Sequence, residues 1–222
     1  MGFEFIDSID QIIHASGLNG LIVSSSFSQE EDVLSQWRAY ADDGKGYVIG
    51  FKASDMTKMA VRPLEVLYDE KLQIQELTAL IRAFHHVESK ESEKFGNDFF
   101  RTCHNIAFDL AAFINPAFNE EKEIRLVHLL NFEQSNDFMK LKDIGGHAFG
   151  KKKSPETIQF RTRGYGILPF IDIDFSNEGK VNPIKEVVIG PKNQMLPTAI
   201  SVFLETIGIG KVKIKRSTAS YR

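Results

Sequence analysis

Three groups of residues in this 222-residue chain combine types and spacing that could do chemistry. Glu123 opens an apolar stretch in "EKEIRLVHLL", and Arg125 follows two residues later. In a strand the two share a face. The carboxylate then either projects into a cleft or pairs with its neighbour. Ser24, Ser25, Ser26 and Ser28 line a second strand. Alternate hydroxyls such as Ser26 and Ser28 could bond a ribose or an amide, or they are small residues where a sheet packs closely. Trp37 and Tyr40 lie three apart on one helix face, with Arg38 beside them. They could wall a flat aromatic ligand while Arg38 reaches a phosphate. The alternative is a packing anchor for the helix.

Weaker patterns follow. "IGPKNQ" (189–194) reads as a strand, a turn and a helix start, where free N–H groups and Lys192 could attract an anion, or as a simple strand-to-helix connection, which most such turns are. Arg161 with Arg163, and Lys213 with Lys215, share faces by the strand period. With Lys151 to Lys153, Arg216 and Arg222 they could hold a nucleotide pyrophosphate or a nucleic-acid backbone, or form a solvated sheet face, the usual meaning of such charges. "DGKGYVIGF" (43–51) is a turn into a strand, since its spacing is wrong for a P-loop. His85 and His86 point to different helix faces, and His104, His128 and His147 stand isolated. The chain carries no metal signature.

The elements that must position these residues are readable from periodicity. Residues 3–15 have helical spacing, 21–27 read as a strand, and 33–41 as a helix closed by "DDGKG". Strands are expected at 47–51 and 61–68, and long helices at 70–87 and 94–113. Strands then dominate at 123–130, 157–163, 166–175, 187–189 and 212–216, with a helix near 195–207. No βαβ alternation persists, so the expected class is α+β, a mixed, mainly antiparallel sheet with a helical middle. The length fits a single domain over 1–222, with about 70–115 as a helical insertion.

Bulk composition narrows the function classes. Net charge is −3, which disfavours a whole-surface nucleic-acid binder. The single Cys103 excludes an internal disulfide framework and makes a cytoplasmic compartment the default. No apolar run approaches the roughly 20 residues of a membrane span. The chain has 18 Phe, expected to be mostly core because Phe has no polar handle.

Four stretches together resemble one bacterial family, domain of unknown function 2971. They are "SSSFSQEEDVLSQWRAYADDGKGYVIGF" (24–51), "NEEKEIRLV" (119–127), "VVIGP" (187–191) and "KIKRSTASYR" (213–222). Members of that family usually carry an earlier segment, and "MGFEFIDSID" looks like the part just after it. The resemblance extends to ADP-ribosyltransferase-like folds, in which a strand Glu stabilises positive charge as the nicotinamide glycosidic bond of NAD breaks. Glu123 is similar to that Glu, and such a carboxylate would act electrostatically. The resemblance thus implies an NAD-using effector in a toxin or phage-defence setting, with NAD as substrate. Ser26, Ser28, Trp37, Arg38, Tyr40 and Arg125 would then bind the nucleotide. The alternative is a non-catalytic module that binds a nucleotide, a protein partner or a second copy. A nucleic-acid binder is the weaker third reading.

Overall fold

The computed structural model describes residues 2–220. In chain order, α1 is Phe3–Asn19, β1 Gly20–Ser28, α2 Leu34–Tyr40, β2 Tyr47–Phe51, α3 Ala53–Met56 and β3 Arg62–Glu65. The helical middle follows as α4 Glu70–Glu88 and α5 Asn97–Asp109. Next come β4 Glu123–Gln134, β5 Met139–Lys142, β6 Gly146–Ala148, β7 Lys151–Lys153, β8 Gln159–Arg163 and β9 Gly166–Phe170. The chain closes with β10 Ile184–Ile189, α6 Pro197–Thr206 and β11 Lys213–Arg216. The class is α+β with mainly antiparallel pairing, and β10 with β11 is a parallel exception.

The chain divides into two compact units. The first comprises Met1–Phe27, Arg62–Gly145 and Ser154–Ile171. Its sheet is ordered β1-β4-β3, with β5 also on β4. The long β4 serves as spine: β3 pairs with its first half at 124–127, and β5 with its second half at 131–134. Its helices meet around Phe5, Ile9, Phe84, Phe99, Cys103 and Ile106. Phe84 and Phe99 stack at 4.9 Å between ring centroids, and Phe5 packs edge-on against Phe99 at 5.9 Å. Burial pushes the Cys103 thiol up to about 11, so it behaves as a core hydrophobe. The hairpin β8–β9 completes this unit as a separate two-stranded sheet.

The second unit comprises Ser28–Val61, Gly146–Lys153 and Asp172–Arg222. Its main sheet is ordered β11-β10-β2. Val187 and Ile189 of β10 bury against Ile200 and Leu204 of α6. The period of two along β10 and of four along α6 brings those side chains face to face. A small hairpin, β6–β7, belongs to the same unit.

Several boundaries differ from the periodicity, each for a local reason. α5 begins at Asn97 rather than 94, because the buried Glu88 carboxylate captures the Phe95 N–H at 2.7 Å. Lys94 Nζ meanwhile donates to the Glu88 carbonyl at 2.6 Å. These bonds turn the chain before the helix can start. β9 ends at Phe170 rather than 175, where Asp174 accepts from the N–H groups of Ser176 and Glu178 and forces a turn. α6 starts at Pro197, the position where a missing N–H costs nothing. The phenylalanines depart most from expectation. Phe5, Phe84 and Phe99 are buried, whereas Phe3, Phe100, Phe118, Phe138, Phe160 and Phe203 are exposed. The helical core is small and closes on a few rings, which leaves the others outside.

Candidate functional site

The start of β4 is the most organised polar cluster in the first unit. Glu123 lies at the strand entrance, just after Lys122 adopts a left-handed turn at φ 41°. Its side chain is 7% exposed. Arg125 Nε donates to one carboxylate oxygen at 2.8 Å, and Arg125 Nη2 to the other at 3.1 Å. The third arm of the guanidinium, Nη1, donates to the Ala111 carbonyl at 2.7 Å. Ser26 of β1 also hydrogen-bonds Glu123. The Glu123 N–H donates to the Tyr68 hydroxyl at 3.0 Å, and its carbonyl accepts from Val66 N at 3.0 Å. Burial pushes the Glu123 carboxyl up, but the bonds from Arg125 and Ser26 outweigh it and hold the group below its ordinary range. A two-pronged Arg–carboxylate pair is among the strongest hydrogen-bonded ion pairs in proteins.

A second buried carboxylate, Asp143, has no counterpart in the sequence reading. It accepts from His128 Nε2 at 2.8 Å, from Gly145 N at 2.9 Å and from Glu156 N at 2.7 Å. Its side chain is 1% exposed and that of His128 is 10% exposed. Burial pushes the carboxyl up, and the bonds from Glu156, His128 and Gly145 override that and lower it. His128 is isolated along the sequence but not in space. Among the described residues, no group of three or more His, Cys, Asp or Glu could hold a metal ion.

In the second unit the motif residues converge on Asp32. It accepts from the Trp37 indole N–H at 2.7 Å, from the Thr218 N–H at 2.7 Å and from the Thr218 hydroxyl at 2.9 Å. The Ser217 hydroxyl also donates to it. Burial raises this carboxyl, and the bonds from Ser217, Trp37 and Thr218 bring it below its ordinary value. Trp37 is 1% exposed, with its ring enclosed and its N–H committed. Tyr40, three residues on, is 74% exposed, and Arg38 is exposed beside it. Ser28 accepts from the Glu30 N–H and from Gln36 Nε2, each at 3.0 Å.

The turns "DDGKG" and "IGPKN" lock together in the same unit. Gly190 N donates to Gly46 O at 3.1 Å and Lys192 N to Gly44 O at 3.0 Å. Any side chain at Gly190 would strike the Gly44 and Gly46 carbonyls. Lys192 Nζ bonds Asp43 at 2.6 Å and α6 begins only at Pro197, so the "IGPKNQ" segment is a clasped connecting turn. The late basic residues are also committed. Lys213 and Lys215 bond Glu186, whose carboxyl they hold down at about 2. Arg216 donates to the carbonyls of Asn193 and Met195. Tyr221 and Arg222, the end of the terminal motif, lie outside the described residues.

The structure thus brings Ser26, Glu123 and Arg125 together in the first unit, and holds Ser28, Trp37, Arg38 and Tyr40 in the second. Residues 36–126 match the family model of protein of unknown function (DUF2971). The DUF2971 match takes in Trp37, Arg38, Tyr40, Glu123 and Arg125, and ends before β10, α6 and β11. It therefore spans parts of both units. No curated protein and no solved structure matches the chain. Among the described residues no helix is long and apolar enough to cross a membrane.

Proposed function

We propose that this DUF2971 chain is a non-catalytic binding module, in which the Glu123 cluster is a structural clasp. One observation carries the reading. Both Glu123 oxygens are occupied by Arg125, Ser26 adds a further bond, and the side chain is nearly enclosed. A carboxylate that stabilises a developing cation acts from a preorganised position facing the reacting atoms. This one spends its charge on a neighbour two residues away.

A second reading keeps the ADP-ribosyltransferase resemblance. The contact between Ser26 and Glu123 supports it, since the resemblance gives that carboxylate the catalytic role and that serine a place on the nucleotide. It requires Arg125 to release the carboxylate when NAD arrives. The two readings separate in one assay. The chain and its Glu123→Gln variant are incubated with NAD, and released nicotinamide is measured by chromatography. The module reading predicts no release above buffer from either. Release by the wild type that Glu123→Gln abolishes would overturn it.

A further inference from the structure

One buried carboxylate holds both roots of a short excursion of the chain. Residues 146–153 belong to the second unit, while the chain up to Gly145 and again from Ser154 belongs to the first. Asp143 sits just before the departure, with its side chain 1% exposed. Its Oδ1 accepts from Gly145 N at 2.9 Å on the outgoing side, and its Oδ2 from Glu156 N at 2.7 Å on the returning side. His128 Nε2 bonds the same Oδ1 at 2.8 Å and ties the carboxylate to β4. All four residues lie in the first unit. Gly145 is left-handed at φ 73°, a conformation that favours glycine.

The body of the excursion is held less firmly than its roots. β6 and β7 are three residues each and, among the described residues, pair only with one another. A two-stranded ribbon is marginal in water without a third strand or a packed face. Of residues 146–153 only Ala148 is buried, and alanine brings little apolar area. The turn sets Phe149 at φ 50° beside Gly150 at φ 75°. A bulky residue adopts that left-handed conformation only under strain. Lys151, Lys152 and Lys153 then follow in a row. Two polar contacts within the second unit seat the ribbon. Phe149 N donates to the Lys58 carbonyl at 2.6 Å, and Lys153 Nζ meets Glu178 at 3.2 Å in an exposed setting.

We propose that residues 146–153 form a strap that opens and re-seats as one unit, about roots latched by Asp143. The contrast between root and body is the reason. Elements with few buried apolar contacts open at a fraction of the global unfolding free energy. Roots that stay fixed turn re-seating into a short loop closure, which costs less entropy than recapturing a free segment. Asp143 is therefore a positioning residue. It confines the opening to the strap and leaves the pairing of β4 with β5 in place. Nothing in this depends on the role of Glu123, so the nicotinamide assay and the experiment below fail independently.

Native-state amide hydrogen exchange on the full chain tests the strap. Two bonded amides are compared, Phe149 N–H on the strap and Val66 N–H, which donates to the Glu123 carbonyl at 3.0 Å. After correction for intrinsic rates, Phe149 should exchange roughly 100-fold faster than Val66. The bonded amides of β6 and β7 should share the Phe149 rate. Low denaturant should speed Val66 and leave the strap nearly unchanged, because its opening exposes little surface. Asp143→Asn should speed the strap by about a further tenfold beyond any change at Val66. One common rate for Phe149 and Val66 in the wild type would overturn the strap. So would a fast Phe149 with β6 and β7 at the Val66 rate, since the ribbon would then not open as a unit. An equal acceleration of strap and Val66 in Asp143→Asn would overturn Asp143 as the latch. The wild-type comparison decides on its own if that variant does not fold.

Discussion

The entrance of β4 and the β8–β9 hairpin are built in the same unit on opposite terms. At Glu123 every strong donor and acceptor has a partner, and the side chain is almost enclosed. On the hairpin, Phe160, Tyr165 and Ile167 stand in water. The difference separates residues that hold the fold from residues that are free to meet something else. A charged cluster attracts functional interpretation, yet this one is internally complete. The bland-looking ribbon, with one face apolar, is what remains unsatisfied.

The contrast can be broken by substitution. Arg125→Ala is expected to have the largest effect, a loss of about 3 kcal/mol, because it strands a buried carboxylate. Chemical denaturation would read it, and a loss under about 0.5 kcal/mol would place Glu123 in a far wetter setting. Asp32→Ala should cost about 2 kcal/mol, since it leaves the Trp37 and Thr218 donors unpaired. It should also free the segment after β11, which limited proteolysis would detect.

Acid provides the next test. The folded-state pKa values of Glu123, Asp143 and Asp32 are all lowered. Each therefore contributes stability that is fully present above the unfolded carboxyl value of about 4 and is lost as pH falls through the lower folded value. The melting temperature should be level from pH 7 to pH 5 in respect of these groups and drop below about pH 4. Glu123→Gln should show a shallower drop. An unchanged acid profile would detach Glu123 from this linkage. The smallest effect belongs to the hairpin. Phe160→Thr should move the stability of the chain by no more than about 0.5 kcal/mol. A large loss would mean that the ring is packed after all.

Much of the fold is legible in the sequence where the signal is local. β2 occupies 47–51 as its apolar run indicates. The Glu123–Arg125 pair follows from the period of two in a strand, and the observed ion pair is the internal alternative of the two that spacing left open. β8 and β9 are marked by a Gly-Tyr turn between strand-like runs. What stays hidden depends on distance along the chain. Asp143 reaches His128 fifteen residues away, and Asp32 reaches Ser217 and Thr218 more than 180 residues away. No period encodes such meetings. β5 and β7 are short and rich in lysine, and β6 is only Gly-His-Ala, so their pairing carries no apolar alternation to read. The exposed phenylalanines are unreadable for the same reason, because composition says that a ring is apolar and not whether a core has room for it.

The melting temperature of Glu123→Gln against wild type at pH 7 tests the central claim most directly. Replacing a residue kept for catalysis commonly leaves stability unchanged or improves it, since active sites are tuned at the expense of stability. Replacing one prong of a buried clasp lowers it. The clasp predicts a drop of several degrees, corresponding to about 2 kcal/mol. An equal or higher melting temperature would contradict it and return Glu123 to the role of a poised carboxylate.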